Sequence, residues 1–221
     1  LPPKQAPPPR YDGTPRRFTF PSGTRLTRIH SAQFAVTEFN PTVARSDLQG
    51  GRFDASPNDE YPFLYAAEDD ATAVSEALLR DLPIDERGAR LLPRVALAGR
   101  RIGWLRPTAD LALVNLRSGE DLGAIGQDTW LIAAPAADYP MTRRWAEAIR
   151  QWAPWAMGLT WRSHREPDGF AYVFFGDRCP EDCFEEARDS LPVPAGDQSL
   201  DVGSGRLYVE DLLARYRVAL M

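Results

Sequence analysis

Residues 63–80 read Phe-Leu-Tyr-Ala-Ala-Glu-Asp-Asp-Ala-Thr-Ala-Val-Ser-Glu-Ala-Leu-Leu-Arg. The first five, Phe63 to Ala67, are an apolar run of strand length. Asp69 or Asp70 follows, and either carboxylate suits a helix N-cap. Ala73, Val74, Ala77 and Leu78 recur at helical spacing, which predicts a helix to about Arg80 with that stripe buried. Pro83 stops it, because proline has no N–H to give the next turn.

Reading outward from this unit, the body of the chain begins at Thr24. Leu26, Arg28 and His30 alternate with Thr27, Ile29 and Ser31, the period of a short strand. Asn40-Pro41 and Gly50-Gly51 mark turns or loops. Toward the C-terminus, Leu91–Ala98 and Leu111–Leu116 read as further strands. Thr142–Ala153 reads as a helix, with Trp145, Ile149 and Trp152 on one face; a helix packed on a sheet explains that face better than a ligand wall. Leu159–Ser163 and Phe170–Phe175 read as two strands joined by a turn around Pro167-Asp168-Gly169. Leu207–Ala219 reads as mainly helical. No internal repeat is visible. Short strands with few helices predict an α+β fold rather than alternating βαβ units.

The chain has 221 residues, 43% hydrophobic and 26% charged, as for one folded domain with a short appendage. No apolar run approaches the roughly 18–20 residues of a membrane helix. The net charge of −5 argues against a direct nucleic-acid binder. Seven of the 20 prolines fall in Leu1–Pro21, where Lys4, Arg10, Arg16 and Arg17 face only Asp12. Residues 1–23 therefore read as a proline-rich basic arm, mobile or wrapped on the surface, preceding a domain over 24–221. No basic segment leads into an apolar run, so a secretory leader is not expected. Cys179 and Cys183, the two cysteines, read as free thiols of a reducing cytoplasm. A zinc site needs about four ligands, and with His164 the nearer of two histidines none is expected.

The chain carries no GxGxxG after a strand, no GxxxxGK[ST], no HExxH and no GxSxG. What remains is a set of polar residues on apolar segments. Arg28 sits in the first strand, Arg52 follows two glycines, and Tyr65 lies in the second strand. Glu76 lies beside the buried stripe of the helix, and Ser163 ends a later strand next to His164. Taken singly, each has a plain structural explanation: a solvated strand edge, a stripe boundary, a turn or cap.

Taken in order, the segments that hold them resemble the RES domain family, named for an arginine, a glutamate and a serine. The resemblance rests on Arg28-Ile29-His30-Ser31 with Phe39-Asn40-Pro41 after it, and on Gly50-Gly51-Arg52-Phe53-Asp54. It continues with Leu64-Tyr65-Ala66-Ala67-Glu68 leading into Thr72-Ala73-Val74-Ser75-Glu76, and closes with Gly158-Leu159-Thr160-Trp161-Arg162-Ser163. It covers about Thr24 to Phe175. The resemblance implies an ADP-ribosyltransferase-like fold of mixed sheets with flanking helices. It implies a bacterial toxin of a type II toxin–antitoxin pair that consumes NAD+ by hydrolysis or phosphorolysis, or that transfers ADP-ribose to a protein. It further implies an antitoxin with an Xre-like helix-turn-helix and a dimer or larger complex. A catalytically silent, partner-binding domain is the alternative from another class. On this analogy Arg28, Glu76 and Ser163 are the name-giving catalytic set. Arg52 and Tyr65, with His30, line the NAD+ pocket. Some members have a tyrosine after the first arginine, where this chain has Ile29.

These residue types suit that chemistry. Nicotinamide leaves without needing an acid, and its departure builds positive charge on the ribose. One carboxylate, Glu76, suffices to stabilise that cation. Guanidinium groups bind phosphate oxygens bidentately and keep their charge, which fits Arg28 and Arg52 to a pyrophosphate. The Tyr65 ring can stack on nicotinamide, and Ser163 can orient the ribose or a water. No metal or further cofactor is expected.

Overall fold

Phe63–Ala67 forms a strand, here β3, and it lies inside a large mixed sheet. The computed structural model describes residues 6–189 and 197–221. Before β3 come β1 (Arg17–Phe20) and β2 (Leu26–Ser31). After it come α1 (Asp70–Val74), β4 (Arg90–Leu92), β5 (Arg100–Pro107) and β6 (Leu111–Leu116). Three helices follow, α2 (Gly119–Gly123), α3 (Trp130–Ala133) and α4 (Tyr139–Trp152). The chain ends with β7 (Gly158–Arg162), β8 (Phe170–Phe175), β9 (Phe184–Glu186), β10 (Gln198–Ser199), α5 (Gly203–Arg215) and β11 (Val218–Leu220).

Among the described residues, one sheet runs in the order β1-β6-β7-β8-β3-β2-β5-β10, with β9 also on β5. Its pairs are antiparallel except β6 with β7. The helix α4 lies between β6 and β7 in the chain, as a parallel connection requires. Strands β4 and β11 form a separate parallel pair. The α+β class expected from the pattern of short strands is the one observed.

The strand period of two sorts side chains between the two faces of the sheet. On one face Leu26, Leu64, Leu105, Leu113 and Phe174 build a buried layer with Phe20 and Phe184. The other face is covered by two separate groups of helices. Trp145 and Ile149 of α4 pack on Val114, Leu159, Trp161 and Val173. Val209, Leu212 and Leu213 of α5 pack with Val74 and Leu79 on Ile102 and Trp104. Arg150 fastens α4 to the loops at the sheet's end: it pairs with Asp59 at 2.7 Å and Asp177 at 2.8 Å, its guanidinium 3.8 Å from the Tyr61 ring centre.

Several expectations change. Residues 17–20 of the basic arm are an edge strand, Arg17–Phe20 pairing with Leu111–Val114. Tyr11 stacks on Trp152 at 4.0 Å, so this part of the arm is fastened down, while Lys4 and its neighbours 1–5 lie outside the described residues. The run Leu91–Ala98 is not one strand: Pro93 ends β4, and Arg94–Ala96 form a 3-10 turn. The true long strand is β5, whose Arg100, Arg101 and Arg106 disguise the buried alternation of Ile102 and Trp104. Residues 207–219 split between α5 and β11 at Arg217, whose φ of 56° turns the chain out of the helix. The helix from Asp70 is capped by Asp69, as expected, but from Ser75 to Leu79 it widens into a π-helical turn.

The turn between β7 and β8 sits on α1. A Cβ at Gly169 would lie 1.9 Å from Thr72 Oγ1, so only glycine permits this approach. We expect Gly169→Ala to lower the melting temperature by about 5–10 °C, the effect of roughly 2–3 kcal/mol of overpacking in a domain this size. Thr72→Ala in the same chain should recover part of the loss; calorimetry of the two variants checks both outcomes.

Candidate functional site

Where the α4 group and the α1–α5 group of helices part, the sheet is left uncovered, and a cavity of about 640 Å³ opens there. That volume is in the usual range for a small-molecule site. Its floor is the helix-bearing face of the sheet, with Thr27, Ile29, Tyr65 and Trp161. Its walls are Glu76 and Arg80 from the π-helical turn and its end, Tyr139 from α4, and the loop holding Arg52 and Asp54, with Arg100 also contributing.

Glu76 is presented by the π-helical turn, a local widening that often accompanies functional positions. Its Oε1 accepts the Ser163 hydroxyl at 2.7 Å and the His164 backbone N–H at 3.3 Å. Arg80, one helical turn on, stands 3.8 Å from Oε2. Burial raises the Glu76 pKa above the ordinary carboxylate value, and the Ser163, His164 and Trp161 donors oppose that rise. Ser163 is buried and its hydroxyl proton points at Glu76. It holds the carboxylate from the loop side. His164 contributes its backbone N–H rather than its ring.

Arg52 is 1% exposed, and its Nε and Nη1 have no hydrogen-bond partner; Nη2 reaches only Ala134 O, at 3.4 Å. The adjacent Asp54 accepts from the Gly51 N–H at 2.7 Å through Oδ2, while its buried Oδ1 has no partner. Burial raises the Asp54 pKa, against the pull of Gly51, Tyr65 and Arg143. The Tyr65 hydroxyl accepts the Phe53 N–H at 2.9 Å, so the ring is fixed between Phe63 and Trp161. Desolvation holds this phenol well above its usual pKa, so it stays protonated. Tyr139 is likewise pushed up to about 12, mainly by burial.

Arg28 and His30 do not join this group. Thr27 pairs with Ala67, so Thr27 and Ile29 share the cavity face with Tyr65, and the even positions of β2 point to the opposite side. There Arg28 Nη1 donates to Val36 O and Glu38 O, both at 2.7 Å, and to Ala35 O at 3.3 Å. Burial pulls its pKa down to about 10. It holds the 35–38 loop and does not reach the cavity. His30 is also buried there, with Nε2 3.3 Å from Asp197. Of the residues expected to converge, Arg52, Tyr65 and Glu76 line one cavity together with Arg80 and Arg100, and Arg28 and His30 do not. Arg80 was detectable in the sequence, since it stands four residues from Glu76 on the same helix face. Asp54 was within the quoted Gly50–Asp54 segment, two residues from Arg52; Arg100 and Tyr139 carry no such local signal, and folding alone brings them in. Among the described residues, no three His, Cys, Asp or Glu side chains gather as metal ligands would.

The family described as RES domain matches residues 25–196, a span that contains every cavity residue named above. No curated protein matches the chain. Among solved structures, a chain from the crystal structure of the M. tuberculosis MbcT-MbcA toxin-antitoxin complex aligns with a TM-score of 0.54 at 15% identity, covering 87% of this chain and 90% of that one. At that identity the likeness is one of fold. No helix among the described residues is long and apolar enough to cross a membrane.

The new place of Arg28 has a measurable consequence. Arg28→Met keeps the bulk but removes the donor from three carbonyls. We expect a loss of about 2–4 kcal/mol, seen as a melting temperature lower by roughly 5–15 °C. An unchanged melting temperature would remove Arg28 from its structural role.

Proposed function

The chain belongs to the RES domain family, and on that premise we propose that it cleaves the nicotinamide–ribose bond of NAD+, as a toxin-type enzyme that depletes the dinucleotide. The observation that carries this reading is Arg52. A guanidinium buried with two unanswered donors is costly to the fold unless something supplies acceptors. A pyrophosphate supplies them in the fork geometry that guanidinium favours. Arg80 and Arg100 on the same cavity make it locally cationic in a chain of net charge −5. The apolar floor of Ile29, Tyr65 and Trp161 suits a flat aromatic ring such as nicotinamide.

The chemistry follows from charge. As the C1′–N bond breaks, its electron pair goes to nicotinamide, which loses its positive charge. The ribose takes up that charge as an oxocarbenium ion. Glu76, ionised and steered by Ser163 and the His164 N–H, lies against this developing cation. A preorganised charge of this kind typically contributes about 3–4 kcal/mol to lowering the barrier. The oxygen of the acceptor then adds to C1′ and releases its proton. The acceptor is water, phosphate or a protein group, and product analysis distinguishes them. By the analogy of the toxin–antitoxin complex it resembles in fold, we also propose a neutralising partner protein, of the Xre-like kind expected above, and action in the cytoplasm.

Purified protein is expected to release nicotinamide from NAD+; assays with and without phosphate separate ADP-ribose from its 1″-phosphate. Glu76→Gln should cut kcat by about a hundredfold or more. Because burial raises the Glu76 pKa, the acid-side limb of the rate profile should lie above the ordinary glutamate range, with activity lost as pH falls through it. No nicotinamide release under either condition defeats the proposal. Labelled ADP-ribose found on a macromolecule would move it to a transferase, and a Glu76→Ala chain as toxic as the parent would move it to a binding module.

Arg52→Met gives a second check. Removing an unpaired buried charge should leave the melting temperature unchanged or higher, while the KM for NAD+ rises about tenfold or more. A large loss of stability with unchanged KM would mean that Arg52 holds the fold and not the ligand.

A further inference from the structure

The two strongest contacts of Glu76 come from one short loop, and that loop is itself held from behind. Ser163 Oγ, which donates to Glu76, accepts the Glu166 N–H at 3.3 Å. Arg165 reaches across to the backbone of the Glu76 helix, donating to Arg80 O through Nε at 3.1 Å and Nη2 at 3.0 Å. The Glu166 carboxylate accepts the hydroxyl of Tyr216. The Tyr216 ring packs against the cluster that holds Val74, Leu78 and Leu79 of the Glu76 helix. Tyr216 thus stands at the end of α5 between the donor loop and the helix that receives it. Tyr208, two turns earlier, gives its hydroxyl to Asp70 Oδ2 at 2.5 Å, at the start of α1. The Thr27 hydroxyl and the Trp104 indole N–H donate to Asp70 Oδ1. Tyr208 therefore braces the start of the Glu76 helix and Tyr216 the loop that meets it, both from beyond residue 196, where the family match stops.

We infer that Tyr216 is a positioning residue for the reaction, acting through Glu166 and Ser163 to hold Glu76 against the ribose. This rests on the reading of Glu76 given above. A tyrosine whose ring packs on the helix while its hydroxyl holds the loop sets the distance between them, and a shift of about 1 Å at a reacting centre is costly. The groups that face Glu76 are Arg80 from its own helix, Ser163 and His164 from the loop, Trp161 from β7 and Tyr139 from α4. Of these, the loop donors depend on Tyr216. They favour the carboxylate, so loosening them raises the Glu76 pKa further.

The test is a double-mutant cycle of Tyr216→Phe and Ser163→Ala on NAD+ turnover, with the carboxyl of Glu76 titrated by carbon NMR in each variant. Tyr216→Phe is expected to fold, to lower kcat about fivefold to tenfold with KM within about twofold, and to move the Glu76 titration to higher pH. Tyr216→Phe should slow the Ser163→Ala variant less than it slows the parent, because the two share the Ser163 contact and only the His164 N–H is left for Tyr216 to steady. Glu166→Gln, which keeps an acceptor for Tyr216, should fall between parent and Tyr216→Phe; it serves if Tyr216→Phe does not fold. Additive effects together with an unmoved Glu76 titration would overturn the inference. If the parent releases no nicotinamide, the proposed reaction fails, and the NMR titration still decides whether Tyr216 governs Glu76.

Discussion

A carboxylate taken out of water must be given donors, and Glu76 finds its two strongest 87 and 88 residues further along the chain. The rest of the architecture can be read as the means of closing that gap. Strand β3 leads into the helix that carries Glu76, and β8 pairs along the whole of β3. Strand β7 lies on the far side of β8, so the turn joining them comes down on α1. Gly169 lets the turn approach Thr72, and the loop delivers Ser163 and the His164 N–H from above. The π-helical turn completes the match by aiming Glu76 into the cavity while Val74 and Leu79 stay in the core.

The two arginines of the motif show how one side-chain type serves opposite ends. Arg28 is buried with acceptors for its guanidinium, and so stabilises a loop. Arg52 is buried without them, and so is left with unused binding capacity. Burial is nearly the same for both; the difference lies in which face of the backbone each leaves. In β2 that is fixed by parity alone, since Thr27 faces Ala67 and its neighbour must face away.

Much of this was legible before any coordinates. The strand–cap–helix unit from Phe63, the strands at Leu111 and Phe170 and the helix ending near Trp152 all follow from period and capping. The order of the motif segments identified Glu76, Ser163, Arg52 and Tyr65, and these four do come together. The errors have physical causes. Three arginines hid the alternation of β5, whereas the apolar run at Leu91 is broken by its own proline. Arg28 and His30 lie on the strand parity opposite to Thr27 and Ile29, which turns them away from the cavity. Arg100 and Tyr139 join the site only through non-local pairing, and no short window of sequence contains that information.

The outer edge of the sheet is closed by residues made first and paired late. Arg17–Phe20 must wait for Leu111–Val114, and Phe63–Ala67 for Ala171–Phe175. On a ribosome, these segments emerge long before their partners exist, so a nascent chain stopped before β8 can pair β2 with β5 and β1 with β6 but leaves β3 without its β8 neighbour and Glu76 without its Ser163 and His164 donors. The topology acts as a delay: the cleft is complete only once β8 has paired along β3 and the β7–β8 loop has brought Ser163 and the His164 N–H to Glu76.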